Sequence, residues 1–298
     1  MTSAPVIVSG ASGLIGEALV DSLRSDGVRV IALVRRPART EDEAEWLSGD
    51  KPFDPEVLRG AQAVVNLNGA SIGRLPWTRS YRRTLAFSRL IPTKTLAQAV
   101  RALGSDAPAF ISASAVGFYG DRPGELLTET SSAGTTFLAR LCVQWEHQAL
   151  TAGPEARVTL LRTAPLLHPD SVLRPMIRLT RLGLSGPLGG GRQIWPWISL
   201  ADHIRALRHV IDKGIVGAVN LSGPEPASAN DIGRALALAM HRPYVLPAPA
   251  WALRCGLSRD AADSLLLSDA TVRPETLLKS GFEFQHTTAA AAIAAVMA

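Results

Sequence analysis

The chain is poor in the residues that carry several common chemistries. Its 298 residues include only two cysteines, Cys142 and Cys255, with no CxxC spacing, which argues against both a disulfide framework and a thiolate zinc site. The six histidines are scattered and form no HExxH or paired-ligand pattern, so no metal is expected. No apolar run approaches the roughly 20 residues of a membrane span. The N-terminus has no basic region followed by a signal-type apolar stretch. These absences predict a cytoplasmic protein without a membrane partner.

A formal charge of +5 raises the question of nucleic acid. Arg79, Arg82, Arg83 and Arg89 fall on one predicted helix, and Arg174, Arg178 and Arg181 recur at helical spacing on another. Yet only four lysines accompany the arginines, and no aromatic-rich RNA-binding motif is present. Arginine faces of this kind are usually solvated, so no nucleic-acid partner is expected. A composition of 47% hydrophobic and 19% charged residues is that of an ordinary globular protein.

What the chain does have begins at its sixth residue. The β-branched run Val6-Ile7-Val8 leads through Ser9 into glycines at 10, 13 and 16, and a helical pattern follows with Ile15, Ala18, Leu19 and Leu23 on its apolar side. Strand, tight turn and helix with this glycine spacing make a dinucleotide-binding fingerprint. Gly10 serves the turn, Gly13 lets a diphosphate approach the main chain, and Gly16 lets helix and strand pack closely. Ser12, Leu14 and Ile15 complete the candidate cofactor turn, at a helix N-terminus whose free N–H groups attract phosphate.

A second strand over residues 28–34 ends in Arg35-Arg36-Pro37. An acid at that place would accept hydrogen bonds from the adenosine ribose, whereas arginine suits a 2′-phosphate. Arg35 and Arg36, with no acid before Glu41, therefore predict NADP rather than NAD. Residues 38–60 read as a loop or weak helix with a short edge strand. The strand at 63–67 closes in Asn68-Gly69, placed to flank the cofactor. A long helical pattern over 77–103 contains Pro92, which should kink it or start a new turn. The strand that follows ends in Ser112, Ser114 and the Tyr119-Gly120 turn.

These segments together resemble an extended, atypical short-chain dehydrogenase/reductase, and more narrowly the epimerase-like group whose C-terminal segment is a domain of unknown function. The resemblance rests on GASGLIG at 10–16, AVVNLNGA at 63–70, Trp77-Thr78 with Ser88-Arg89, SASAVGFYG at 112–120, Trp145-Glu146, GPLGGGRQ at 186–193, WIS at 197–199 and VRPETLLKSGFEF at 272–284. Where members of that group carry Trp-Ile-His and an acidic pair, this chain has Trp197-Ile198-Ser199 and Ala201-Asp202.

The resemblance also exposes what is missing. Short-chain dehydrogenases use Tyr-x-x-x-Lys, the tyrosine exchanging a proton and the lysine lowering its pKa. The tyrosines here are followed four residues later by Leu85, Pro123 and Ala248. Anchored on Trp145-Glu146, the tyrosine position falls on Leu138 and the lysine position on Cys142. The usual serine is Ser112 or Ser114, with Ser114 chosen as the donor to substrate or nicotinamide. Tyr119 is the default surrogate acid.

The expected architecture is an α/β doubly wound parallel sheet with a smaller C-terminal substrate-side domain. The dinucleotide-binding part takes residues 1–165 and 194–222, the smaller part 166–193 and 223–298. The expected activity is that of an NADP-dependent oxidoreductase or epimerase-like enzyme acting on a hydroxyl or carbonyl carbon of an unidentified small molecule, a nucleotide sugar among the candidates. A non-catalytic NADP-binding redox sensor or regulator is the alternative. The chain is expected to be a monomer or homodimer.

Overall fold

The computed structural model describes residues 4–49 and 52–298. Residues 1–3 and 50–51, which belong to the predicted first domain and to its 38–60 loop, lie outside the described residues. The strands are β1 (Val6–Ser9), β2 (Val30–Val34), β3 (Glu43–Glu45), β4 (Ala63–Asn66), β5 (Ala109–Ala115) and β6 (Arg122–Leu127). They continue as β7 (Val158–Thr163), β8 (Ile194–Trp195), β9 (Gly217–Leu221), β10 (Ala227–Ser228) and β11 (Ala270–Val272). The helices are α1 (Leu14–Ser25), α2 (Arg79–Leu103), α3 (Phe137–Leu150), α4 (Leu173–Arg181) and α5 (Leu200–Lys213). After them come α6 (Ala229–Ala239), α7 (Ala250–Leu257), α8 (Arg259–Leu265), α9 (Glu275–Lys279) and α10 (Ala289–Met297).

Seven strands form a parallel sheet in the order β3-β2-β1-β4-β5-β7-β9, the doubly wound arrangement that the alternating strand and helix patterns predict. Its direction of growth reverses between β1 and β4, so the crevice beyond their C-terminal ends is where such a sheet receives a ligand. The period of two along each strand decides which residues meet which helices. Val6, Val8, Val65, Ile111 and Leu161 share a core with Leu19 and Leu23 of α1 and Leu207 and Val210 of α5. Ile7, Val64, Phe110 and Leu160 point the other way, into a core with Leu96 and Val100 of α2 and Ala149 of α3. Burial on both faces explains why the central strands are apolar runs rather than alternating ones.

α2 is one helix that includes Pro92, itself buried, and Leu96, Ala97 and Val100 beyond it pack against the sheet. β8 with β10, and β11 with β6, pair across the expected division of the chain. β8 pairs with β10 rather than with the main sheet, and both contribute to a third core with α4, α6 and α10. Conversely, β11 pairs with β6, and Ala270, Val272, Leu277 and Phe282 are buried in the first core. Among the described residues no helix is long and apolar enough to cross a membrane.

Candidate functional site

The turn after β1 is built by two close approaches. Gly10 has φ +78, and a Cβ there would lie 2.9 Å from the Leu67 carbonyl carbon, so a side chain would be strained by backbone and neighbour alike. A Cβ on Gly16 would sit well inside contact distance of the Gly10 carbonyl oxygen and 2.8 Å from Ala11 Cα. Gly13 is different: its nearest such neighbour is 3.5 Å away, and the residue is exposed. Gly13 also precedes α1 without any side-chain cap. The first bond of that helix runs from the Glu17 N–H to the Gly13 carbonyl at 2.8 Å, leaving the Leu14 and Ile15 amides ahead of it without helical acceptors. Ser12 is exposed at the same mouth. An uncapped helix start beside the sheet's reversal point fits a diphosphate.

The two arginines after β2 have different fates. Arg36 donates both Nη atoms to Glu43 of β3, at 2.6 and 2.8 Å. That pairing holds the Glu43 carboxyl down at about 2. Arg35 is exposed and has no acidic partner among the described residues. The strand end therefore presents one free guanidinium and one engaged one.

Beyond β4 the site is polar. Ser9, Asn66 and Ser112 are register partners across β1, β4 and β5, and Ser114, Arg162 and Asn220 are register partners across β5, β7 and β9. All share the parity of Ile7, Val64, Phe110 and Leu160, so they form a buried polar band on the α2 and α3 face. Asn68 donates to the Ser9 hydroxyl at 2.7 Å and to the Asn66 carbonyl oxygen at 2.9 Å. Asn66 in turn donates to Thr93 of α2 at 2.7 Å, a hydroxyl that also receives the Trp145 indole N–H at 2.8 Å. Asn68 is thereby fixed, and Gly69 lies exposed beside it.

The predicted catalytic side chains are engaged within the protein. Ser112 and Ser114 lie two residues apart and so face the same way; Ser112 is 0% exposed and Ser114 is 3% exposed. The Ser114 hydroxyl donates to Glu146 of α3 at 2.7 Å. Glu146 also receives Arg162 through Nε and Nη2, both at 2.9 Å. Burial opposes the charge on Arg162, but these bonds more than offset it and its pKa is raised. Tyr119 is 0% exposed, with its hydroxyl donating to Asn220 at 2.6 Å and accepting from Arg162 at 3.0 Å. Burial raises its pKa. This corrects the expectation of Tyr119 as an acid facing a substrate, because a short helical turn over Val116–Tyr119 carries the ring back into the core. Ser114 likewise uses its proton inward.

Nothing at the missing pair replaces it. Leu138 belongs to an apolar cluster with Trp77, Leu85, Leu141 and Ala261, and a Cβ on Gly117 would lie 3.3 Å from its own Cβ. Cys142 is buried, and burial pushes its thiol up to about 12, so it is inert as a nucleophile or base.

One cation at this wall was visible in the sequence as one of the arginines of the predicted 77–103 helix and as part of the Ser88-Arg89 pair, in neither case as a site residue. Arg89 of α2 donates to the Leu85 carbonyl at 3.0 Å and the Ala70 carbonyl at 3.1 Å, with Ser88 accepting the Ala70 N–H at 2.9 Å. Helical spacing could have marked it, since Arg89 falls on the buried stripe of Leu85, Pro92, Thr93 and Leu96.

The model of the NAD dependent epimerase/dehydratase family matches residues 6–222, and that of a domain of unknown function, DUF1731, matches residues 248–296. An epimerase family protein of Mycobacterium bovis is 40% identical over 291 residues, spanning 97% of this chain and 96% of its own. The crystal structure of human epimerase family protein SDR39U1 with NADPH superposes with a TM-score of 0.87 at 26% identity, covering 98% of this chain and 99% of that one. A nucleoside-diphosphate sugar epimerase from Corynebacterium glutamicum gives 0.77 at 30% identity, over 99% of this chain and 59% of that one.

Proposed function

The chain belongs to the NAD dependent epimerase/dehydratase family, and from that premise we propose that it binds NADP(H) and acts as an oxidoreductase or epimerase-like enzyme on a hydroxyl or carbonyl carbon of a small molecule. The observation that carries the cofactor half is the free Arg35 guanidinium at the end of β2, beside the uncapped start of α1. Gly13 and the Leu14 and Ile15 amides would receive the diphosphate, Arg35 the 2′-phosphate, and Asn68 and Gly69 would wall the far side. Bound there, the dinucleotide supplies hydride transfer. The NADPH named with the human relative supports the choice of cofactor. The Corynebacterium relative's sugar nucleotide keeps that substrate class among the candidates.

Calorimetry with NADPH and NADH on the wild type tests the assignment. Preference for NADPH is expected, and equal affinities refute it.

A second reading, a non-catalytic NADP-binding sensor or regulator, is favoured by the side chains at 138 and 142. A leucine and a buried thiol transfer no proton at neutral pH, and Tyr119 is enclosed. Turnover on any member of a carbonyl and nucleotide-sugar panel decides for the enzyme. NADPH binding without turnover across that panel decides for the sensor.

A further inference from the structure

Arg89 is a partly buried cation with no acidic partner within ion-pair distance among the described residues. A guanidinium carries five N–H donors, and two are used, on the Leu85 and Ala70 carbonyls. Three remain. The group lies 5.2 Å from the centroid of the Trp145 ring of α3, within cation–π range. Gly69 also lies against it, since an added Cβ there would come within 3.1 Å of the guanidinium carbon. The loop residue that flanks the candidate cofactor crevice is thus the one that leaves this cation uncovered.

Position matters as much as pairing. Cys142 and Trp145 are three residues apart on α3 and so share a face, and Cys142 is the residue that stands where the resemblance puts a lysine. The guanidinium over Trp145 therefore approaches from α2 the region that the lysine's charge would serve. Burial lowers the Arg89 pKa, and no carboxylate acts against that. Holding an uncompensated charge in such a place is costly unless a partner arrives.

We propose that Arg89 is an oxyanion-binding residue of the candidate site, taking a phosphate or carboxylate oxygen of a ligand lying over Gly69 and supplying the positive charge that position 142 lacks. The inference rests on the cofactor reading only for placing Gly69 in the crevice. The oxyanion belongs either to the dinucleotide or to the substrate, and the fork of an arginine suits both.

The experiment compares wild type, Arg89→Met and Arg89→Lys, with Arg83→Met as a charge control from the exposed face of the same helix. Three probes are titrated calorimetrically: NADPH, adenosine 2′,5′-bisphosphate, which has only the adenosine half, and inorganic phosphate added to NADPH-saturated protein. If the oxyanion is the dinucleotide's, Arg89→Met weakens NADPH by about tenfold or more while the adenosine bisphosphate binds as before. If it is the substrate's, NADPH is unchanged and the phosphate signal is lost. In either case Arg89→Lys recovers part of the affinity, keeping charge but not fork geometry. Unchanged binding in every arm overturns the proposal, as does a loss that includes the adenosine bisphosphate or is matched by Arg83→Met. A wild type that binds no NADPH defeats the cofactor reading instead, and phosphate titrated on the ligand-free protein then decides Arg89 alone.

Discussion

Arg36 and Glu43 meet at 2.6 Å across the edge of the sheet, so the carboxylate of β3 competes with any phosphate for that guanidinium. Arg35, one residue earlier, faces no such competitor among the described residues. Arg35→Ala is therefore expected to lower NADPH affinity about ten- to a hundredfold with little effect on NADH, and Arg36→Ala to lower it less. Glu43→Gln should raise NADPH affinity severalfold by releasing Arg36. Calorimetric titration of the three variants checks the order.

The glycines of the first turn separate folding from binding. Gly16→Ala forces a methyl into the Gly10 and Ala11 backbone, an overpacking expected to cost about 1–3 kcal/mol. Gly13→Ala meets only ordinary contacts and should leave thermal stability near wild type while weakening the dinucleotide. Melting temperatures measured beside NADPH affinities distinguish the two; a Gly13→Ala protein that binds normally would remove Gly13 from the cofactor site.

Tyr119→Phe deletes a buried hydroxyl that joins Asn220 and Arg162. The expected result is a loss of about 1–3 kcal/mol of stability with NADPH affinity unchanged, read from urea denaturation. Loss of turnover at unchanged stability would restore Tyr119 as an acid.

His203 makes stability depend on pH. It is fully buried, with Nε2 at 3.1 Å from the Thr163 hydroxyl and Nδ1 unpartnered, and burial holds its pKa down at about 4 against an ordinary 6.5. The unfolded imidazole takes a proton near pH 6.5, the folded one only near 4. Its contribution is therefore complete above 6.5 and is lost as the pH falls from there toward 4, by about 3 kcal/mol. The difference between wild type and His203→Gln in urea midpoint, followed over that range, measures it. Parallel curves would refute it.

The first turn and the central strands were legible because local pattern determines them. Val6-Ile7-Val8 and the three glycines need no tertiary information to read as strand and turn. Tyr119 was not legible in this way, since spacing places it after β5 but only the short helical turn decides that its ring goes inward. Ser112 and Ser114, two residues apart on one strand, share a face by the period of two alone. Glu146 and Arg162 come from a helix and a strand 16 residues apart, and nothing in either segment names the other.

The Glu129 carboxylate receives the backbone N–H groups of Asn220 and Thr276, each at 3.1 Å. Asp202 receives those of Gln285 and His286 at 2.7 and 2.9 Å, and β11 supplies the only strand neighbour of β6 among the described residues. The tail is thus stitched into the first core at three places. A polypeptide cut between the two matched stretches would keep every glycine of its nucleotide turn and still leave the buried Asp202 carboxylate without its two amides and Glu129 with only that of Asn220, so the shorter piece would be a poor candidate for recombinant expression. The dinucleotide fold here is inherited together with its tail rather than as a detachable module.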